Sequence, residues 1–145
     1  MRKLIILGLS ILPLFSIDAL ARDTTHYFSI SDAMATQEFK NKLDGNIRFF
    51  FGDQQYPAPT ATKGEYTTSK KTNAFNKSDE GACQWALLSA LITFQERAKT
   101  EGGNAVVDIV SNYKHNEFSS ADKYECHAGG IVAGVALKAK VVTLP

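Results

Sequence analysis

Cysteine is scarce in this sequence, where Cys83 and Cys126 are the only two. The chain also lacks the cysteine clusters of zinc fingers, the Gly-x-x-x-x-Gly-Lys-Ser/Thr phosphate loop and the Gly-x-Ser-x-Gly elbow of serine hydrolases. Its only three histidines are His26, His115 and His127, whereas a metal site needs three or four converging ligands. We therefore expect no metal and no cofactor, and we expect a protein that is not an enzyme.

An excess of charge is missing as well. The chain has 16 basic and 15 acidic side chains, with a formal net charge of +1. Duplex binding rests on a basic surface that displaces counterions from the phosphates. The balanced charge therefore predicts no nucleic-acid partner.

The only long apolar run lies at the start of the chain. Arg2 and Lys3 precede an apolar stretch over residues 4–17, and Ala19-Leu20-Ala21 is a small-x-small cleavage site. The stretch is short for a membrane span, which needs about 20 apolar residues. This pattern predicts a cleaved secretory signal over residues 1–21 and one domain over residues 22–145. We expect the mature chain to be periplasmic or secreted and not membrane-spanning.

The export signal indicates the chemical state of the two cysteines. Two cysteines in an exported chain form a disulfide by default. A bridge between Cys83 and Cys126 encloses the 42 residues that lie between them. The chain-entropy model gives such a loop an upper stabilisation of roughly 4 kcal/mol. We therefore predict one structural disulfide.

The order of predicted elements is β-α-β-loop-α-β-β. Strand composition, N-cap residues and glycines define these segments. The strands are expected over residues 26–30, 47–51, 104–110 and 131–142, and the helices over residues 33–43 and 81–100. They predict a single small α+β domain in which the helices pack on a mostly antiparallel sheet.

The second helix is the clearest element. Ser78 or Asp79 can cap its start, and Gly102-Gly103 can end it. Between residues 82 and 94 only Gln84, Ser89 and Thr93 are polar, so the helix is apolar around most of its circumference. Such a helix must be covered on most sides or must offer an apolar surface to a partner.

Residues 53–80 form a long polar stretch that we predict to be a loop, with room for a short strand over residues 65–68. Within it, residues 69–77 are expected to be irregular and exposed. Lys70, Lys71, Asn73 and Asn76 are candidate contacts for an anionic ligand or a partner protein. The alternative is a solvated connection in which the two asparagines make local turn bonds. Phe75 is expected to pack on the start of the helix.

The segment from Cys83 to Lys138 resembles two related families. Its motifs are EGGNAVV at residues 101–107, YEC at residues 124–126 and GVAL at residues 134–137. They are similar to the YbjQ-like domains described as heavy-metal-binding, and more closely to the C-terminal domain of the Rcs envelope-stress sensor lipoprotein. The latter resemblance implies a helix-to-strand disulfide that Cys83 and Cys126 match. Ser111 and Val132 stand where that family has its second bridge, so a signalling role is not transferred.

Residues 23–140 as a whole resemble a group of small exported bacterial proteins of unknown function. The shared motifs are KKTNAFNKSD at residues 70–79 and YECHAG at residues 124–129. Some members of that group carry the name of an excinuclease ATPase subunit. Without a phosphate loop, the sequence does not support that activity.

His127 is the remaining candidate for a ligand or partner contact. It follows Cys126, but neighbouring residues on a strand point to opposite faces, and a bridged sulfur cannot bind metal or attack a substrate. We predict a non-enzymatic binding or accessory module, with an envelope protein as the partner considered. The alternative is a metal-binding protein or small hydrolase that uses His115 or His127; it requires a pocket where a carboxylate converges on one of them.

Overall fold

The computed structural model describes residues 22–145, so the predicted signal segment 1–21 lies outside the described residues. The described chain is a single small α+β domain with three helices and a mixed, mostly antiparallel sheet of seven strands. In chain order the elements are β1 (Thr24–Ser29), α1 (Ile30–Met34), α2 (Gln37–Lys42), β2 (Arg48–Phe51), β3 (Ala61–Asn73), α3 (Asp79–Glu101), β4 (Ala105–Tyr113), β5 (Asn116–Phe118), β6 (Lys123–Ala128) and β7 (Val132–Thr143).

Strand β7 is the centre of the sheet. Along one edge it pairs with β3 over its whole length, from Val132 to Thr143. Its other edge is shared, because β4 pairs with the half that begins at Leu137 and β6 pairs only at Ala133 and Gly134. β1 pairs with β6, β5 pairs with β4, and only β2 runs parallel to its neighbour, β4. Strand β4 therefore pairs with the second half of β7, β6 pairs with its beginning, and β5 extends the sheet from β4.

Helix α3 forms where its caps predict it. The Ser78 side chain accepts a hydrogen bond from the backbone N–H of Gly81 at 3.0 Å. At the other end Gly102 has a φ of +73°, a left-handed conformation that glycine adopts without steric cost. Gly103 then lets the chain pass close to β7, because a Cβ at this position would lie 2.8 Å from the carbonyl oxygen of Val142.

The core lies between α3 and one face of the sheet. Alternate residues of β7 point at the helix and are buried: Ala133, Val135, Leu137, Ala139 and Val141. They pack with the apolar residues of α3, among them Leu87, Leu91 and Phe94. The predicted disulfide is confirmed: it joins Cys83 in α3 to Cys126 in β6, with Cα atoms 5.9 Å apart. It ties the early part of the helix to the sheet.

The prediction of a long polar loop over residues 53–80 is wrong for its central part. Strand β3 is 13 residues long, far longer than the short strand expected over residues 65–68. After Tyr66 its helix-facing side carries Thr68, Lys70 and Thr72, so a single aromatic residue is the only apolar mark of this face. The pairing with β7 makes it a strand. Lys70, Lys71 and Asn73 therefore lie on a strand rather than in an irregular segment.

Three smaller expectations also differ from the structure. The helix expected over residues 33–43 is divided into α1 and α2, because Thr36 has an extended backbone with a ψ of 153°. The polar residues after Val110 continue β4 and form β5, and residues 124–126 belong to the separate strand β6. Phe75 does not cover the helix start, since it is 63% exposed.

Candidate functional site

The face of the sheet opposite α3, which we call the outer face, carries the candidate site. On β7 the outward residues include Gly134, Ala136 and Lys138. On β3 the outward residues Thr67, Ser69 and Lys71 lie directly beside them, and on β6 the outward residues include Glu125 and His127. This face is polar, in contrast to the apolar face that packs on α3.

A groove of about 410 Å³ runs across the outer face, and we call it the basic groove. Its floor is shallow because Ala136 contributes only a methyl group to it. One wall is β3 and the other is the β4–β5 hairpin. The lining residues are Thr67, Thr68, Ser69, Lys71, Asn112, Tyr113, Lys114, His115, Ala136 and Leu137.

The tip of the β4–β5 hairpin presents two basic residues to the groove. Tyr113 pairs with Asn116, so Lys114 and His115 form a two-residue turn. Both have positive φ angles, 51° and 62°, in the region that glycine, asparagine and aspartate favour. The turn therefore holds two exposed cationic or hydrogen-bonding side chains at some conformational cost. Lys114 Nζ lies 5.3 Å from the centroid of the Tyr113 ring.

The basic residues of the groove are not neutralised. Within residues 22–145, no ion pair engages Lys71, Lys114 or His115. The carboxylate of the hairpin, Glu117, instead contacts Lys138, and this hydrogen bond raises the pKa of the lysine. The groove thus combines positive charge with hydroxyl and amide donors, a combination that suits an anionic group.

His127 lies in a second arrangement on the same face, the His127 cluster. Its Nε2 is 2.6 Å from Oε1 of Glu125, and its Nδ1 is 3.4 Å from both Oγ1 of Thr25 and Oδ1 of Asp23. The ring stacks on Tyr113, with centroids 3.4 Å apart, and Tyr113 also lines the basic groove. The histidine side chain is 13% exposed. The imidazole is therefore firmly oriented and continuous with the groove through one tyrosine.

The alternation predicted for residues 126 and 127 is confirmed. Cys126 points to the core and is bridged, whereas His127 points to the outer face. A thiol-imidazole pair is thereby excluded. No group of three or more His, Cys, Asp or Glu side chains in residues 22–145 is arranged to hold a metal ion.

The structure separates the candidate contacts of residues 70–77. Lys71 lines the groove, but Lys70 lies on the opposite side of β3 and is half-buried. Asn73 Oδ1 accepts a hydrogen bond from the backbone N–H of Phe75 at 2.8 Å, and Asn76 has a φ of +58°. Asn73 therefore makes the local turn bond that the alternative interpretation predicts, whereas Asn76 contributes a left-handed backbone conformation to the same turn.

Several residues of the outer face have no local sequence signal that marks them as part of a site. They are Asp23, Thr25, Asn112, Tyr113, Lys114 and Glu125. The polar residues between β4 and β6 do contain a hairpin, but its Lys-His turn lacks the Asn-Gly or Asp-Gly pair that marks such turns. Register along the sheet, rather than a local motif, brings these side chains together.

A hydrogen-bonded group also lies near the start of α3. The Arg22 guanidinium and the His26 imidazole both contact the Asp79 carboxylate at 2.8 Å. The hydrogen bond from Arg22, and secondly that from His26, hold the pKa of Asp79 well below its usual range. This group joins the beginning of the described chain to α3.

No family model matches the chain, and comparisons with curated proteins and with solved structures likewise find no match. No helix within residues 22–145 is long and apolar enough to cross a membrane. The disulfide is compatible with a protein located outside the cytoplasm.

Proposed function

We propose that this chain is a non-enzymatic binding module of the bacterial envelope, exported to the periplasm or secreted after removal of residues 1–21, and that it holds an anionic group in the basic groove. The observation that carries the proposal is the convergence of Lys71, Lys114 and His115 on one open groove without a carboxylate paired to any of them within residues 22–145. The resemblance to small exported proteins supports the location.

The ligand class follows from the chemistry of the lining. Lysines on both walls supply charge, and Asn112 and Ser69 supply neutral hydrogen-bonding groups. Because the net charge of the chain is close to zero, attraction is local and extends over about 8 Å in physiological salt. A compact phosphate or carboxylate group fits these properties better than a long polyanion does.

The test is a titration of residues 22–145 with pyrophosphate and with citrate, in which NMR records the chemical shifts of the backbone amides. We expect shifts for the amides of Lys71, Lys114 and His115, and we expect them to shrink as salt is added. The variant Lys71→Ala/Lys114→Ala should bind at least tenfold more weakly, because it removes the charge of both walls.

The matched control is Lys42→Ala/Lys63→Ala, which removes two exposed lysines outside the groove. It should bind like the unaltered protein. Equal losses in the two double variants would mean that general charge, and not the groove, attracts the anion. An absence of shifts at the groove amides with either probe would contradict the proposal.

Export has its own test. Expression of the full chain followed by fractionation should place the protein outside the cytoplasm, with Arg22 as its first residue and with Cys83 joined to Cys126. A cytoplasmic protein that retains residues 1–21 would refute this part of the proposal.

A second candidate, a small hydrolase, is favoured by one observation in the His127 cluster. Thr25 Oγ1, the His127 ring and Glu125 Oε1 follow one another at 3.4 Å and 2.6 Å, which is the order of nucleophile, base and orienting carboxylate. Hydrolysis of p-nitrophenyl acetate that falls more than tenfold in both Thr25→Val and His127→Gln would favour the enzyme. If the chain is a binding module, neither substitution should change the rate of p-nitrophenyl acetate hydrolysis.

A further inference from the structure

Strand β3 has one edge that no other strand covers within residues 22–145. It lies at one side of the sheet and pairs only with β7. An uncovered edge presents backbone N–H and C=O groups to which a further strand can pair, so proteins commonly keep such strands short. With 13 residues, β3 is instead the longest strand of the described domain. Its free edge is therefore a candidate interaction surface.

The hydrogen bonds between β3 and β7 show which backbone groups of β3 are free. The backbone N–H of Ala74 donates to the carbonyl oxygen of Ile131 at 2.7 Å, so this facing pair bonds across the two strands. The direction of bonding alternates along an antiparallel strand. Even-numbered residues between 66 and 74 therefore bond to β7, and the odd-numbered ones point to the free edge. The carbonyl oxygen of Asn73 agrees, because it accepts from Lys77 Nζ at 2.9 Å.

Both ends of the free edge are closed. A shift in register between Thr62 and Gly64 interrupts the ladder at one end, and a lysine side chain occupies the carbonyl oxygen of Asn73 at the other. The open and regular stretch is residues 65–71, and its midpoint is Thr68. Four exposed residues of this stretch direct their backbone groups away from β7: Glu65, Thr67, Ser69 and Lys71.

The order of side chains makes this stretch complementary to itself. When a second copy pairs with it antiparallel about a two-fold axis at Thr68, position 65 of each copy faces position 71 of the other. Glu65 is the only acidic residue of β3, and this register places it opposite Lys71 on both sides of the axis. Thr67 then faces Ser69, also twice. Opposite charges that face each other across an antiparallel pair stabilise it.

Neighbouring registers lose this match. With the axis one residue earlier than Thr68, Glu65 faces Ser69, and with the axis one residue later it faces Asn73. With the axis at Lys70, the two lysines at this position face each other, which is destabilising. The register that uses the whole open stretch is thus also the one that pairs its opposite charges.

Glu65 and Lys71 are available for this contact. Both side chains are exposed, and neither belongs to an ion pair within residues 22–145. The lysines of β7 nearest to Glu65 are Lys138 and Lys140, and each is already paired with another carboxylate. The charged groups that face each other in the joined sheet are therefore free to pair.

The helix-facing side of the pairing places Lys70 opposite Tyr66 of the second copy. The guanidinium of Arg97 lies 4.8 Å from the centroid of that ring and is paired with Glu101 at 3.3 Å. Lys70 then packs its methylene groups at the ring edge and keeps its ammonium group in water. The charge contacts of the pairing are therefore those of the outer face.

From this free and self-complementary edge we propose that two copies of the chain form a dimer through their β3 strands, which pair antiparallel about an axis at Thr68. The two sheets then become one, with α3 of both copies on the same side. Because a single strand pair buries little surface, the dimer depends on protein concentration. It does not rest on anion binding, and Glu65 of the second copy lies beside Lys71, which lowers the positive charge of the basic groove.

Sedimentation equilibrium tests the dimer in a buffer without multivalent anions. Residues 22–145 should pass from monomer to dimer as the protein concentration rises. Ser69→Pro removes a backbone N–H that points to the free edge and leaves the bonds to β7 intact, a position where an edge strand tolerates proline. It should raise the dissociation constant by at least about tenfold. Ser69→Ala keeps the N–H and is the matched control; it should dimerise like the unaltered protein.

Charge reversal tests the register. Glu65→Lys and Lys71→Glu should each weaken the dimer by about tenfold, because two attractive pairs become repulsive. An equal mixture of these two variants should form a heterodimer, since every facing pair is then again of opposite charge. The double variant Glu65→Lys/Lys71→Glu should dimerise like the unaltered protein. Lys63→Glu is the control, because it reverses a charge at the register shift, outside the paired stretch. Far-ultraviolet circular dichroism reports that each variant is folded.

Three results would overturn the proposal. The first is a folded protein that stays monomeric up to millimolar concentration, which would leave the edge of β3 to a strand of a different protein. The second is a dimer that Ser69→Pro leaves unchanged, because the contact would then lie elsewhere on the surface. The third is a mixture of the two single charge reversals that remains monomeric, because the facing residues would then not be those of the axis at Thr68.

Discussion

The two faces of strand β7 lie in different environments. Toward α3 the strand presents Val135, Leu137 and Val141, all buried in the core. Toward the outer face it presents Ala136 and Lys138, which border the groove and contact the hairpin. A period of two residues thus separates the part of the chain that stabilises the domain from the part that is free to bind. Substitutions on the two faces should therefore affect different properties.

The largest difference in stability between the two faces should come from a substitution in the core. Leu91→Ala, at a fully buried position of α3, should lower the free energy of unfolding by about 3 kcal/mol, because it removes apolar contacts and leaves a cavity. Thr67→Ala on the outer face should change it by less than about 0.5 kcal/mol. Urea denaturation measures both values. Equal losses would show that the outer face is also a packed surface.

The disulfide should be nearly as important as the core. Cys83→Ala/Cys126→Ala should lose about 2–4 kcal/mol of unfolding free energy, because the unfolded chain is no longer restrained by the closed loop. Denaturation of the unaltered protein with and without a reductant gives the same comparison without mutation. A reduced protein as stable as the oxidised one would mean that the bridge does not restrain the unfolded state.

Acidic pH should test the contact between the sheet edge and α3. The pKa of Asp79 is lower in the folded protein than the value of about 3.9 in the unfolded chain. The folded state then binds fewer protons, so this stabilisation is complete above about pH 4 and is lost as the pH falls through the lower, folded pKa. The stability difference between the unaltered protein and Asp79→Asn should therefore shrink below pH 4.

The control for this pH series is Asp53→Asn, a change at an exposed aspartate. At neutral pH it should lower the free energy of unfolding by less than Asp79→Asn does. A pH-independent effect of Asp79→Asn would mean that its contacts to Arg22 and His26 do not stabilise the fold.

The smallest expected effect concerns a hydroxyl on the core side. Tyr124 is buried, and within residues 22–145 its hydroxyl has no hydrogen-bond partner. Tyr124→Phe should therefore leave the free energy of unfolding unchanged or raise it by up to about 1 kcal/mol. Tyr113→Phe on the outer face removes a hydroxyl that lies 3.4 Å from Asp23 and is the matched comparison. A clear destabilisation by Tyr124→Phe would indicate a polar partner in the core.

Local signals predicted the parts of the fold that depend on neighbouring residues. Ser78 and Gly102 define the ends of α3, because a cap acts within one turn of helix. The apolar residues of β4 and β7 likewise predict buried strands. β3 was missed because its helix-facing residues are largely polar, and its hydrogen bonds go to a strand that begins about 60 residues later in the chain.

The candidate site was predictable only in pieces. Lys71, His115 and His127 were named from the sequence, but nothing local indicated that Lys114 shares the groove with the first two or that Glu125 and Asp23 flank the third. Thr25 and His127 are 102 residues apart in the chain and meet through the pairing of β1 with β6. Such contacts are set by register, which no single segment encodes.

The sequence by itself determined the α+β class, the main helix and the cysteine pair, because composition, caps and periodicity act over a few residues. Only the tertiary structure decided which polar side chains share the outer face and that β3 keeps a free edge within residues 22–145. The physical reason is that strand pairing joins distant segments, and a shift of one residue in register would turn every side chain to the opposite face.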